Sequence, residues 1–264
     1  MRRVLLATLF VLVLVFAPAA FGTDIYVTNH SSLTDAQIAD AIPVYQRALD
    51  EDFAPVWPEA LGSKLILGEA PKGAWSVRVV DEPGCFYCSG YHDVEDGVPY
   101  AVVSALGDWQ VTFTHELWEL LVNPYTERSA VVQGKLVKGK RVKRKYALET
   151  ADPVEGDQSE YQRQSASDAT VHISDFVTPA WFRRGSRGPW DFARKTERPL
   201  QILEDGYQLW FHDGGWDAIW AGDGARADGL AKARRWNGGR APSPPAEGNP
   251  RLSGMGPTSS GHAD

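Results

Sequence analysis

Apolar residues recur along the first half of the chain with two alternating periods. Ile38, Ala41, Ile42, Tyr45, Ala48 and Leu49 fall at helical spacing, behind Leu33-Thr34-Asp35, whose side chains can cap a helix start. They predict an amphipathic helix over about 34–50. Phe53-Ala54-Pro55-Val56-Trp57-Pro58 ends it. Residues 25–28, 64–67, 75–80 and 99–103 are short runs of β type. The pattern turns helical again from Trp109 to Val122. It stops at Asn123-Pro124, because a residue before proline is pushed out of the helical region. The predicted order is strand, helix, three strands, helix. Residues 131–149 then predict a β-hairpin, with Val131, Val132, Leu136 and Val137 flanking a turn near Lys138-Gly139-Lys140. Further short apolar segments with glycine turns run from Ile173 to Trp181 and from Leu200 to Trp220. From Trp236 onward Gly, Pro, Ser and charge dominate, the composition of a disordered tail. No internal repeat is visible.

The two ends frame this pattern. Met1-Arg2-Arg3, the apolar run Val4–Phe16 and the small residues of Ala17–Gly22 have the order of a secretory signal, so 1–22 is expected to be a signal peptide and 23–235 the folded domain. The apolar run is shorter than the roughly 20 residues of a spanning helix. The mature chain is therefore expected off the membrane, in the periplasm or secreted. A net charge of −7 argues against a nucleic-acid partner. The 10 tryptophans suit either a core or a binding cleft. Cys85 and Cys88 are expected to pair in an oxidising compartment. A redox role is the competing possibility, but Ser89-Gly90-Tyr91-His92-Asp93 follows as loop, and activated thiols usually open a helix. Arg141-Val142-Lys143-Arg144-Lys145 reads as the solvated face of the hairpin.

The chemistry concentrates in Thr114-His115-Glu116-Leu117-Trp118-Glu119. Helix positions four apart share a face, so His115 and Glu119 point the same way and can ligate one divalent cation. Glu116 follows the histidine as the general base does in the metalloprotease pattern His-Glu-x-x-His, where a metal lowers the pKa of a water and the glutamate takes its proton. The helix is otherwise apolar, and buried charge must be paired or metal-bound. Downstream, Glu149-Thr150-Ala151-Asp152-Pro153-Val154-Glu155 offers Glu149 or Asp152 as a third ligand, with an acidic turn fixed by Asp152 as the alternative. His172 is a candidate to act as a ligand or to steady an oxyanion, and Tyr146 and Tyr161 are candidates to donate to an oxyanion or move a proton, but a structural role is the leading reading for each. His92 and Asp93 are assigned to organising the loop before the strand at 99–103.

Gly90-Tyr91-His92-Asp93, Gly97-Val98-Pro99-Tyr100-Ala101, Thr114–Pro124, Glu149–Glu155 and Ser174-Asp175-Phe176-Val177-Thr178-Pro179-Ala180-Trp181-Phe182 together resemble a family of largely uncharacterised bacterial and phage proteins. Those proteins carry a Ser/Thr-His-Glu-x-x-Glu helix, an Asp-Pro-Val turn and a Ser-Asp-Phe-Val segment. The likeness extends to Pro199-Leu200 and Gly206-Tyr207 and covers most of 25–220. That family looks like a variant of the zincin metallopeptidases. The resemblance implies an α+β zincin-like domain with a small mixed sheet, with His115 and Glu119 as helix ligands and Glu116 as base. It implies a metal-dependent hydrolase acting on peptide or protein. Zn²⁺ is the expected metal. Because glutamate replaces the second histidine and hardens the site, Mn²⁺ or Ca²⁺ is the alternative. Two other functions are open to the sequence: a non-catalytic protein of the same scaffold whose Trp-rich surface binds a partner, and a thiol–disulfide protein using the cysteines.

Overall fold

A computed structural model describes residues 22–85, 88–137, 140–156, 160–221 and 223–237. The expected signal segment and the tail from 238 lie outside the described residues. The chain is mixed α and β, with three α-helices and three sheets among those residues. None of the helices is long and apolar enough to cross a membrane.

The first sheet has the order β2-β1-β3-β5-β4. Strands β1 (Asp24–His30), β2 (Lys64–Leu67), β3 (Trp75–Val80) and β5 (Val98–Ser104) run parallel. β4 (Gly90–Glu95) lies antiparallel to β5 at one edge. The expected loop at 89–93 is therefore strand. Its alternation is weak because His92 and Asp93 interrupt the apolar pattern. The turn carries the missed signal: Asp96 and Gly97 have φ of 52° and 80°, the left-handed pair that an Asp-Gly hairpin demands.

Helix α1 (Asp35–Ala48) begins with a capping box: Thr34 accepts from the Gln37 backbone, and the Gln37 side chain accepts from the Thr34 backbone. Pro43 lies within it without ending it. A π-helical turn, Leu49–Phe53, follows. Helix α2 (Trp109–Val122) starts at Asp108, which accepts from the Val111 backbone at 3.3 Å. Every residue from Phe113 to Val122 is buried, so this helix runs through the core. Trp118 stacks on Phe53 with ring centroids 4.4 Å apart, and Phe113 on Tyr45 at 4.7 Å. Such pairs add to the apolar area they bury and fix how far α2 can rotate.

β6 (Ser129–Val137) and β7 (Lys140–Ala147) form the expected hairpin. It joins a second hairpin, β10 (Tyr207–His212) and β11 (Gly215–Trp220), in a four-stranded sheet of order β11-β10-β7-β6. The basic run is not simply solvated: Arg144 lies over the Trp210 ring and Lys145 over Phe211. β8 (Tyr161–Gln164) and β9 (Thr170–Ile173) pair by themselves.

A third helix, α3 (Asp223–Trp236), was not expected and carries the chain to Trp236, where the tail was placed. With two glycines and few large apolar residues, it shows no amphipathic period. It packs on the β10–β11 hairpin in a small cluster of Ala147, Tyr207, Leu209, Ala218 and Ala233. Gly229 permits this approach, since a Cβ there would stand 2.9 Å from Ala218 Cβ and 3.0 Å from Tyr207 Cδ2.

Candidate metal centre

The one-turn spacing on α2 does what the sequence predicts. His115 and Glu119 lie on one face, with His115 Nε2 3.6 Å from Glu119 Oε1. Asp152 comes from a short 3-10 turn, Asp152–Val154, and its Oδ1 is 3.2 Å from the same His115 nitrogen. Glu119 Oε1 accepts from the Ala151 and Asp152 backbones at 3.3 and 3.2 Å, which ties the turn to the helix. The Ser174 segment docks alongside: Ser174 N donates to Thr114 Oγ1 at 2.8 Å, and Trp118 Nε1 donates to Ser174 O at 3.1 Å.

Lys232 enters from α3, almost fully buried. Its ammonium stands 2.6 Å from Glu119 Oε2, 2.7 Å from Glu149 Oε2 and 2.9 Å from Asp152 Oδ2. One ammonium thus hydrogen-bonds Glu119 and Asp152 and forms an ion pair with Glu149. Glu149 is held on its other oxygen by Asn123, which caps the C-terminus of α2 and donates to Glu149 Oε1 at 2.7 Å. Glu149 therefore backs the cluster, and Asp152 is the one beside His115. His92 closes the far side, on β4 and fully buried. Its Nδ1 is 3.5 Å from both Glu116 Oε2 and Glu119 Oε2, and its Nε2 is 3.7 Å from Glu149 Oε2. Neither ring nitrogen makes a hydrogen bond among the described residues, nor does Glu116 Oε2. His92 thus faces the acidic cluster, away from the loop-organising role it was given. Asp93 keeps a local one, its Oδ1 accepting from Val94 N.

Four carboxylates share this interior with one ammonium. Burial works against each charge, and the neighbours decide the outcome. Burial and the nearby Asp152 and Glu149 charges push Glu119 well above the usual carboxyl range, with Lys232 only partly opposing them. Asp152 pays the same burial penalty, but Lys232 and His115 hold it well below that range. For Glu149, Lys232 and His92 likewise outweigh burial and lower it. His115 would lose its proton on burial alone, but the bond to Asp152 and the charges of Glu116 and Glu155 push it up to about 9. The cluster is an acceptor of positive charge.

Two groups of ligand atoms lie within 4.8 Å of one another in this cluster: His115, Glu119 and Asp152, and His92, Glu116 and Glu119. Atoms bound tetrahedrally to one ion at about 2.1 Å are about 3.4 Å apart, which the 3.2 and 3.6 Å separations around His115 match. One imidazole and two carboxylates are an acceptable donor set for a divalent transition metal, so these residues fit such an ion.

Of the first group His115 lines a cleft of about 120 Å³, together with Gly90, Thr112, Glu116, Val154, Asp175 and Tyr207 among others, while Glu119 and Asp152 lie buried behind it. Gly90 lets β4 close on α2, since a Cβ there would stand 2.9 Å from Glu116 Cγ. Cys88 also lines the cleft, and Cys85 pairs with it at disulfide distance, Cα–Cα 5.8 Å. The three residues proposed as donors do not join the cluster. Tyr161 donates to Asp52 Oδ2 at 2.9 Å beneath the β8–β9 hairpin. Tyr146 packs into the core from β7. His172 pairs with Glu160 at 2.5 Å. Tyr207 lines the cleft instead. Burial and the Asp152 charge raise its phenol well above the usual value, so it stays a hydrogen-bond donor. Of the residues missed, His92 had a weak signal in its Asp-Gly hairpin, Tyr207 lay in the quoted Gly206-Tyr207 pair, and Lys232 had none.

No protein-family model matches this chain, and no curated protein or solved structure does.

Proposed function

We propose that the chain is an exported metal-dependent hydrolase with a zincin-like site, acting on peptides. The observation that carries this reading is one constellation: His115, Glu119 and Asp152 present buried ligand atoms at coordinating separations beside a cleft, with Glu116 on the cleft wall next to them. When bound, a divalent ion would supply Lewis acidity to a carbonyl and acidity to a water. Glu116, on the cleft wall, would serve as the proton acceptor, and Tyr207 would offer its hydroxyl as a hydrogen-bond donor to an oxygen that gains charge. Lys232 and Asn123 orient the carboxylates from behind. A cleft of about 120 Å³ holds a reacting group rather than a whole ligand. The rest of the substrate lies outside it. β4 ends the sheet beside the cleft, and an edge strand can pair with an extended peptide. The basic-apolar-small order of the first residues supports export.

Lys232 favours one other reading, in which its ammonium stands in place of a metal ion among these carboxylates and the protein is a non-catalytic binder. Glu116→Gln tests the catalytic reading. Screened against quenched peptide libraries, the native protein should cleave, and the variant should bind metal equally and lose at least about 100-fold in rate, the lower bound for a lost general base. Equal cleavage by both would remove Glu116 as base. Cleavage by neither, with no metal bound, would favour the binder.

A further inference from the structure

Lys232 contacts the carboxylates unevenly. It stands 2.6 Å from Glu119 Oε2, 2.7 Å from Glu149 Oε2 and 2.9 Å from Asp152 Oδ2, with Asp152 Oδ1 farther off at 3.1 Å. The oxygens that face His115 are the other two, Glu119 Oε1 and Asp152 Oδ1. Glu149, the third carboxylate, is drawn to the same ammonium and away from His115. The side chain reaches this point from a helix seated against Tyr207 and Ala218 through Gly229. His92, fully buried with no hydrogen bond on either nitrogen among the described residues, faces the same acidic group from the opposite side.

We infer that Lys232 sets which cation this centre accepts, by holding Glu119 Oε2 and Asp152 Oδ2 most closely, with only a longer contact to Asp152 Oδ1, so that His115, Glu119 and Asp152 can each offer one donor atom, a set that suits Zn²⁺ and disfavours Ca²⁺. This rests on the metal-site reading above. Ca²⁺ takes six to eight oxygens and uses carboxylates in bidentate fashion. Zn²⁺ is content with four ligands, nitrogen among them. An ammonium across Oε2 and Oδ2 blocks bidentate binding by both residues and keeps Glu149 out of the donor set. It also removes one unit of the negative charge that a hard cation needs. The lysine thereby counters the hardening that the glutamate-for-histidine change would otherwise bring.

The test is the ratio of Zn²⁺ to Ca²⁺ affinity, measured by competition with chromophoric chelators on the untagged protein and on Lys232→Met. Removing a positive charge strengthens both ions, so the ratio isolates selection. The variant should narrow the ratio by at least about tenfold, chiefly through tighter Ca²⁺ binding. Lys232→Gln, which keeps a donor without the charge, should shift it in the same direction and serves if circular dichroism shows the methionine variant misfolded. An unchanged ratio in a folded variant would overturn the inference. Binding of metal by the variants alone would overturn it as well, because the ammonium would then fill the ion's seat. No binding of either ion by any of the three proteins would instead bring down the metal-site reading beneath it.

Discussion

Lys232 Nζ lies 2.6 Å from Glu119 Oε2, joining residues on two helices in the interior of the protein. The contact ties α3 to α2. A buried charge that loses its partner costs about 3–5 kcal/mol, so the whole acidic cluster depends on how α3 is seated.

That seating depends on Gly229. Alanine there would force its Cβ to within 3.0 Å of both Ala218 and the Tyr207 ring, neither of which is the end of a flexible chain. Gly229→Ala should lower unfolding free energy by about 1–3 kcal/mol in urea, the usual cost of overpacking, although alanine is the better helix former. A gain in stability would show that α3 has room to shift.

Asp175 should govern part of the pH dependence of stability. Burial, followed by the neighbouring Asp191 carboxyl, pushes it up to about 9. Its Oδ1 accepts from Phe176 N and Ala193 N at 2.7 and 2.9 Å. A folded-state value above the unfolded one means that the native protein holds the proton more tightly. The stability this gives is full below about pH 4 and is lost as pH rises toward about 9. Asp175→Asn keeps the acceptor oxygen and mimics the protonated acid. Between pH 5 and 8, urea unfolding of the native protein should lose at least about 1 kcal/mol more than that of the variant. Parallel pH profiles would remove Asp175 from this role.

The elements recovered from sequence, β1, α1, β2, β3, β5, α2 and the β6–β7 hairpin, are those marked by a compact apolar run or an apolar period. Those that escaped carry the polar machinery. β4 reads as loop because His92 turns inward to Glu116 and Glu119, breaking its alternation. α3 went unpredicted because its approach to Tyr207 needs glycine and small residues where an amphipathic helix would have large ones. His115, Glu116 and Glu119 were legible because helix geometry alone sets their relation. Asp152 and Glu149 were legible as a pair, but only the fold separates them, one beside His115 and the other held by Asn123. Tyr146, Tyr161 and His172 were chosen by residue type, and their positions depend on strand pairings that spacing does not encode.

The central claim is that His115, Glu119 and Asp152 hold a metal ion. Elemental mass spectrometry on the untagged protein, beside a His115→Ala/Glu119→Ala double variant, tests it most directly. About one equivalent of zinc in the native protein, absent from the variant, is the predicted result. No metal in either after incubation with Zn²⁺, Mn²⁺ and Ca²⁺ would contradict it and leave Lys232 as the cation around which these carboxylates are built.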